Sequence, residues 1–291
     1  MTDVSAHAQT RPTLTIGGDL TVRRLGFGAM RITGRGIWGE PPHHDEAVAV
    51  LRRAVDLGVN LIDTADAYGP DVSERLIADA LAPYPEDLVI ATKGGLLRDG
   101  PNRWRPDGRP EHLRAACEGS LRRLRLESIA VYQLHRPDPR VPLAESIGAL
   151  ADLQLEGKIH HLGICNVSEA QLDEACRIAP MVSVQNRYSG VDRTSEALLT
   201  RCERDGRAFL PWAPLESGKI ADDPSISEVA RAHQATPHQV ALAWLLARSP
   251  VILPIPGTGS VAHLEENTGA ASLVLSPGEV ARLAGETACL L

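Results

Sequence analysis

The tightest constraint on this chain is a repeated alternation. Counting from Arg24, eight short apolar runs are each followed by a segment whose apolar residues recur at helical spacing. The runs span residues 24–30, 61–63, 88–93, 129–134, 161–165, 182–185, 208–212 and 251–255. The helical segments span 45–57, 73–81, 110–124, 143–156, 168–178, 195–205, 225–233 with 237–248, and 261–271, and a last one follows Ser276. In the first of them Ala47, Val50, Leu51, Ala54 and Val55 share a face, Asp45 stands at the N-cap and Gly58 at the stop. Strands that alternate with helices require right-handed crossovers and a parallel sheet. Eight such units in about 250 residues predict an α/β chain folded as a (β/α)8 TIM barrel rather than an open doubly wound sheet. A hairpin over 14–22, alternating around Gly17-Gly18-Asp19, is expected to cap it at the N-terminal side. No compositional break interrupts the series, so residues 11–291 read as a single domain behind a short, polar, flexible N-terminus, 1–10.

Composition narrows the function. A net charge of -7 argues against nucleic-acid or membrane-surface binding. The five cysteines, at 117, 165, 176, 202 and 289, are odd in number and widely spaced, which fits reduced thiols in a cytoplasmic protein. The first residues lack a basic start and an apolar stretch and do not read as a signal peptide. No apolar run reaches the ~18 residues of a membrane span. His43-His44 and His160-His161 are adjacent pairs without helical ligand spacing, so no metal site is expected. Gly26-x-Gly28 lacks the third glycine and later acid of a Rossmann fingerprint.

In a barrel the chemistry sits where the strands end. Three consecutive strands end in an acid, a lysine and a histidine: Asp63 in LIDTADAYG, Lys93 after LVIAT, and His135 after IAVYQL. The remaining strand ends are Gly28-Ala29-Met30, Cys165-Asn166, Gln185-Asn186, Trp212 and Ile255-Pro256-Gly257. A plainer reading makes Asp63 the cap of the helix near Ser73 and Tyr68 a loop aromatic. That reading must still find a partner for a lysine at a buried strand end, and Asp63 is the obvious one.

These stretches carry a resemblance. The chain resembles the aldo-keto reductases along nearly its whole length, through LGFGAM, LIDTADAYG, VIATKGG, VYQLHRPD, HHLGICNVS, SVQNRYS, LPWAPLESGK and PIPGTGSVAHLEENTGA in the family's order. It is most similar to a bacterial pyridoxal reductase-like branch, with GAMRITGRGIWG, Tyr68-Gly69-Pro70 and IPGTGSVAHLEEN. The resemblance implies an oxidoreductase that reduces an aldehyde or ketone to an alcohol, with a catalytic tetrad of Asp63, Tyr68, Lys93 and His135. In that scheme Tyr68 supplies the proton, and Lys93, held by Asp63, lowers the phenol pKa. His135 orients the carbonyl as a donor.

The family's cofactor contacts fall on further residues. Asn166 and Gln185 would read the nicotinamide carboxamide, beside Cys165 where many members carry serine. Trp212 would stack on the ring in place of a tyrosine. Leu215-Glu216-Ser217-Gly218-Lys219 would face the pyrophosphate; Glu216 replaces a common glycine and is expected to point outward, with Lys219 compensating. The adenosine 2′-phosphate would meet Gly257, Thr258 and Ser260 at a helix start, and Glu266 and Asn267 match adenine contacts. Gly257 and His263 stand where many members carry lysine and arginine. NADPH, rather than NADH, is the expected cofactor.

For the substrate, Met30, Ile37, Trp38 and the long loop 94–109 with Trp104 are expected to form the wall, suited to pyridoxal or another small aromatic aldehyde. The partner is then a small-molecule carbonyl, with no nucleic acid and no membrane, and no feature sets an oligomeric state. Two alternatives are a non-enzymatic regulatory subunit resembling channel β subunits, which would need a partner surface, and an aldolase-type barrel with Lys93 as a Schiff base. The second leaves Tyr68 and Trp212 without a task.

Overall fold

The computed structural model describes residues 13–216, 218 and 223–285. The expected flexible segment 1–10, the candidate residues Ser217 and Lys219, and Cys289 lie outside the described residues.

The chain opens with an antiparallel hairpin, β1 (Thr13–Ile16) and β2 (Leu20–Arg23). Seven strands then form one parallel sheet: β3 (Phe27–Gly28), β4 (Leu61–Asp63), β5 (Val89–Gly94), β8 (Ile129–Leu134), β9 (Ile159–Cys165), β10 (Met181–Gln185) and β11 (Ala208–Phe209), hydrogen-bonded in that order. The eighth strand is the segment 251–256. It pairs on one side with β11, where the Phe209 N–H donates to Val251 O at 2.9 Å and the Leu253 N–H to Phe209 O at 2.9 Å. On the other side the Gly26 N–H donates to Pro254 O at 2.9 Å and the Gly28 N–H to Pro256 O at 3.2 Å, which closes the barrel. Pro254 and Pro256 have no N–H to return, so this strand is irregular although its place is strand-like. Arg24 reinforces the seam: its buried guanidinium donates to Ile252 O at 3.1 Å, Leu246 O at 2.9 Å and Ser249 O.

Helices α1 (His44–Asp56), α2 (Val72–Leu81), α3 (Pro110–Leu124), α4 (Leu143–Leu155), α5 (Glu169–Cys176), α6 (Glu196–Asp205), α7 (Pro224–Ala232), α8 (Pro237–Arg248) and α9 (Val261–Gly269) follow the strands, and α10 (Pro277–Leu283) follows α9. Their apolar stripes pack on the outside of the sheet, as in the Val50–Leu51–Ala54 face of α1 against Ile62. Inside the barrel, Leu61, Val89, Val131 and Leu253 pack against Ile16 and Val22 of the hairpin, which plugs the end where the strands begin. No helix among the described residues is long and apolar enough to cross a membrane.

Two local expectations change. Helix α1 starts one residue before Asp45, with His43 at the cap position; Asp45 and Glu46 lie in its first turn, where carboxylates favour the helix dipole. The stretch 94–109 is no plain loop: β6 (Leu96–Gly100) and β7 (Arg103–Pro106) pair as a hairpin. Its turn, Gly100-Pro101-Asn102, carries positive φ at Gly100 and Asn102, residues that tolerate it.

Candidate active site

Asp63 ends β4, Lys93 lies near the end of β5, and His135 follows β8, so three adjacent strands aim their last side chains at one mouth. Lys93 is fully buried and its Nζ donates to Asp63 Oδ2 at 2.6 Å, to Thr64 O at 2.7 Å and to Tyr68 Oη at 3.4 Å. The other carboxylate oxygen, Asp63 Oδ1, accepts from Gln185 Nε2 at 2.8 Å and Gln133 Nε2 at 3.3 Å. Cys165 Sγ in turn donates to Gln133 Oε1 at 3.4 Å. A buried ion pair whose remaining lone pairs and protons are all occupied is the arrangement that survives desolvation. Asp63 is therefore committed to Lys93 and caps no helix.

Burial resists the charge on Lys93, but Asp63 outweighs it and holds the ammonium above its ordinary value. Tyr68 behaves differently. Burial pushes its pKa up to about 12, while Lys93 pulls the other way and loses. The expected lowering by Lys93 is thus present as an interaction but does not prevail; the phenol holds its proton at neutral pH. His135 is driven well below its ordinary value by burial, with Lys93, Arg136 and Arg98 adding to the effect, so the ring is neutral. Its Nδ1 is buried, and neither ring nitrogen bonds to another described residue. A neutral imidazole with no protein partner can present one N–H to a ligand.

These groups open into one cavity of about 760 Å³. Tyr68, His135, Met30, Leu96 and Trp104 line one half of it; Trp212, Pro214, Leu215, Gly218, Gly257, Thr258 and Gly259 line the other, with Asn166 and Gln185 between. Asn166 is held by both ends of its amide: Nδ2 donates to His135 O at 2.9 Å, and Oδ1 accepts from Trp212 Nε1 at 3.0 Å. The Glu216 carboxylate is turned away from the cavity and accepts from Arg187 and, at 3.0 Å, from Ser189 Oγ. Arg187 therefore neutralises the charge for which Lys219 was the expected partner, and its guanidinium also lies 5.8 Å from the Trp212 ring.

Gly257 has a packing reason. A Cβ there would stand 2.4 Å from Gly28 O, and a Cβ on Gly28 would stand 2.6 Å from Ile255 O. The first and eighth strands approach too closely at this point for any side chain. Ser260 is the cap position of α9 and its N–H donates to Thr258 Oγ1 at 3.0 Å. Five expected cofactor residues among those described, Cys165, Ser260, His263, Glu266 and Asn267, do not line the cavity. His263 is exposed on α9, and Glu266 Oε1 accepts from Thr236 Oγ1 at 2.7 Å.

On the substrate side Trp104 closes over the centre, 6.3 Å from the Tyr68 ring and 6.4 Å from His135. Trp38 does not line the cavity; it stands 39% exposed beside Arg98. Arg98, on the stretch that carries Trp104, was not among the expected site residues. Its guanidinium lies 3.7 Å from the Trp104 ring and donates to Ile37 O at 2.5 Å, Ala67 O at 2.9 Å and Gly36 O at 2.9 Å. Gln133 was not among them either, although a glutamine inside a buried strand always needs a partner.

Residues 24–285 match the model of the aldo/keto reductase family. The chain is 48% identical over 267 residues to an uncharacterized oxidoreductase of Schizosaccharomyces pombe, covering 91% of this chain and 87% of that protein. It is 43% identical over 274 residues to pyridoxine 4-dehydrogenase of Escherichia coli, covering 92% and 96%. Its fold matches the crystal structure of an aldo-keto reductase from Klebsiella pneumoniae in complex with NADPH, with a TM-score of 0.81, 26% identity and 96% coverage of each chain. The comparisons place this closed parallel barrel, with its buried acid–lysine pair, phenol and neutral histidine at the mouth, among oxidoreductases. The chain belongs to the aldo/keto reductase family.

Proposed function

We propose that this protein reduces an aldehyde or ketone to the alcohol with NADPH, and that pyridoxal is the substrate to test first. The observation that carries the reading is the single cavity joining Tyr68 and His135 to Gly257, Thr258 and Gly259, the turn that precedes α9. The residues fit a dinucleotide: aromatic and amide groups stand beside the reactive centre, and glycine backbone and the Thr258 hydroxyl stand at the far end. The relatives supply further support, one a pyridoxine dehydrogenase and one solved with NADPH.

When bound, the reduced nicotinamide supplies a hydride to the carbonyl carbon. The chain's own residues do the rest. His135, neutral, donates its N–H to the carbonyl oxygen and orients it. Tyr68 gives its proton to that oxygen as negative charge develops there. Lys93, kept charged by Asp63, stabilises the phenolate left behind. Trp104 and Leu96 exclude water from the reacting atoms. The cytoplasmic setting belongs to this reading, supported by the unpaired Cys117, Cys165, Cys176 and Cys202.

The test is NADPH consumption with pyridoxal, with NADH in parallel. Saturable turnover with NADPH that Tyr68→Phe abolishes is the expected result. Tight NADPH binding with no turnover of pyridoxal moves the search to other carbonyls, and turnover untouched by Tyr68→Phe overturns the mechanism.

A further inference from the structure

At the opposite end of the barrel from the cavity, the turn of the β1–β2 hairpin meets the start of β9. Asp19 Oδ2 lies 2.7 Å from His160 Nε2, and Asp19 Oδ1 lies 2.6 Å from His161 Nε2. Consecutive side chains on a strand ordinarily point to opposite faces. Here both rings turn to one carboxylate, with their centroids 4.2 Å apart. The three ligand-type atoms all lie within 4.8 Å of one another, and this is the one such group found among the described residues. The His161 side chain is 14% exposed, whereas His160 and Asp19 are about half exposed, so one side of the cluster is sheltered and the other open to solvent. The turn is seated on the imidazole: a Cβ on Gly17 would come within 2.4 Å of the His161 ring, and Gly17 has φ +67.

We propose that Asp19, His160 and His161 form a binding site for a zinc-like divalent ion, with two imidazole Nε2 atoms and one carboxylate oxygen as ligands and water completing the shell. Neutral imidazole with carboxylate is a donor set that Zn²⁺ accepts, whereas Mg²⁺ and Ca²⁺ favour shells of oxygen. The balance is simple. Each ring binds as its Nδ1–H tautomer, any proton on Nε2 passing through water to Nδ1 or to solvent, and the Nε2 lone pairs bind the ion. Tetrahedral ligands at ~2.0–2.1 Å stand about 3.4 Å apart, so the present contacts open by about 0.7 Å, well within the reach of a half-exposed aspartate. The ion would cross-link the hairpin plug to β9. The spacing of the histidines alone argued against a metal because the third ligand lies 141 residues away in sequence.

The test is competition for Zn²⁺ between the metal-free full-length protein and a chromophoric chelator, with Mg²⁺ and Ca²⁺ as controls. One Zn²⁺ per chain is expected, weakened by at least about 10-fold in Asp19→Ala and in His161→Ala. Zn²⁺ should raise the melting temperature of the wild-type protein and leave that of Asp19→Ala unchanged. Asp19→Asn, which keeps the hydrogen-bonding shape of the turn, should behave as Asp19→Ala does. Carbonyl turnover, at the other end of the barrel, should be the same in all variants. Absence of stoichiometric binding overturns the proposal. So does binding of equal strength in the variants, which would mean an adventitious ion only.

Discussion

The cavity has two halves built from different materials. Around Lys93 every charge is buried and answered: the ammonium has three acceptors, and both oxygens of Asp63 are occupied. Around Gly257 the lining is mostly backbone and small residues, with the Thr258 hydroxyl and Arg31, and the nearby carboxylate of Glu216 is turned away onto Arg187. The first half must hold a charge in a place without water, and only particular side chains at fixed spacing can do so. On the proposed reading the second half accepts a phosphate, and main-chain N–H groups can do that with almost any sequence. Substitutions should therefore be costly and specific in the first half and shallow in the second.

Lys93→Met should produce the largest effect. It removes the ammonium and strands Asp63 as a buried carboxylate, so a loss of about 3–5 kcal/mol in denaturant unfolding is expected. Turnover should fall by about 10²–10⁴-fold. Tyr68→Phe should lose turnover on the same ~10²–10⁴ scale while keeping stability and cofactor affinity, because no buried charge is orphaned. If Lys93→Met proves as stable as Tyr68→Phe, the contrast between the halves fails at its strongest point.

Arg98→Ala comes next. The guanidinium ties Gly36, Ile37 and Ala67 to the β6–β7 hairpin and stacks on Trp104. Without it the wall over Tyr68 loosens, and kcat/KM should drop by about 10- to 100-fold while cofactor affinity holds. A tryptophan fluorescence shift should accompany the loss. Cofactor binding weakened as much as kcat/KM would show that Arg98 serves both halves.

The pH profile sharpens the same comparison. Tyr68, with its pKa up to about 12, stays protonated well past its ordinary 10.0. His135, displaced well below 6.5, gains its second proton only in acid. Carbonyl reduction should therefore run level between pH 6.5 and 10. A rate that falls across that window as a single titration would mean that Lys93 overcomes burial once ligands are bound.

What could be read from the sequence follows this division. The barrel was legible because period and order repeat eight times, and the convergence of Asp63, Lys93 and His135 because an acid, a lysine and a histidine end three consecutive strands. The β6–β7 hairpin was not, since it is half exposed and its short strands carry three arginines that obscure the alternation. The reach of Arg98 across 62 residues to Gly36, and that of Asp19 across 141 to His160, are tertiary facts with no local signal. The direction of the Tyr68 shift was missed for a physical reason. Its neighbouring charge shows in the sequence, but the depth of burial that outweighs it does not.

Thr258→Ala should give the smallest effect. Thr258 lines the far end of the cavity, and its Oγ1 accepts from the Ser260 N–H just before α9. Losing the hydroxyl removes one neutral hydrogen-bonding group, worth about 0.5–1.5 kcal/mol, so NADPH should bind roughly 2- to 10-fold more weakly. NADH, which lacks the 2′-phosphate, should bind as before. Gly257→Lys, which installs the lysine that the family resemblance leads one to expect here, should not recover the loss, because its Cβ would stand 2.4 Å from Gly28 O and force the closing strands apart. Direct titration of both cofactors against the two variants separates the cases. A 100-fold preference for NADPH that vanishes in Thr258→Ala would mean that a single side chain, and not the backbone, carries phosphate recognition.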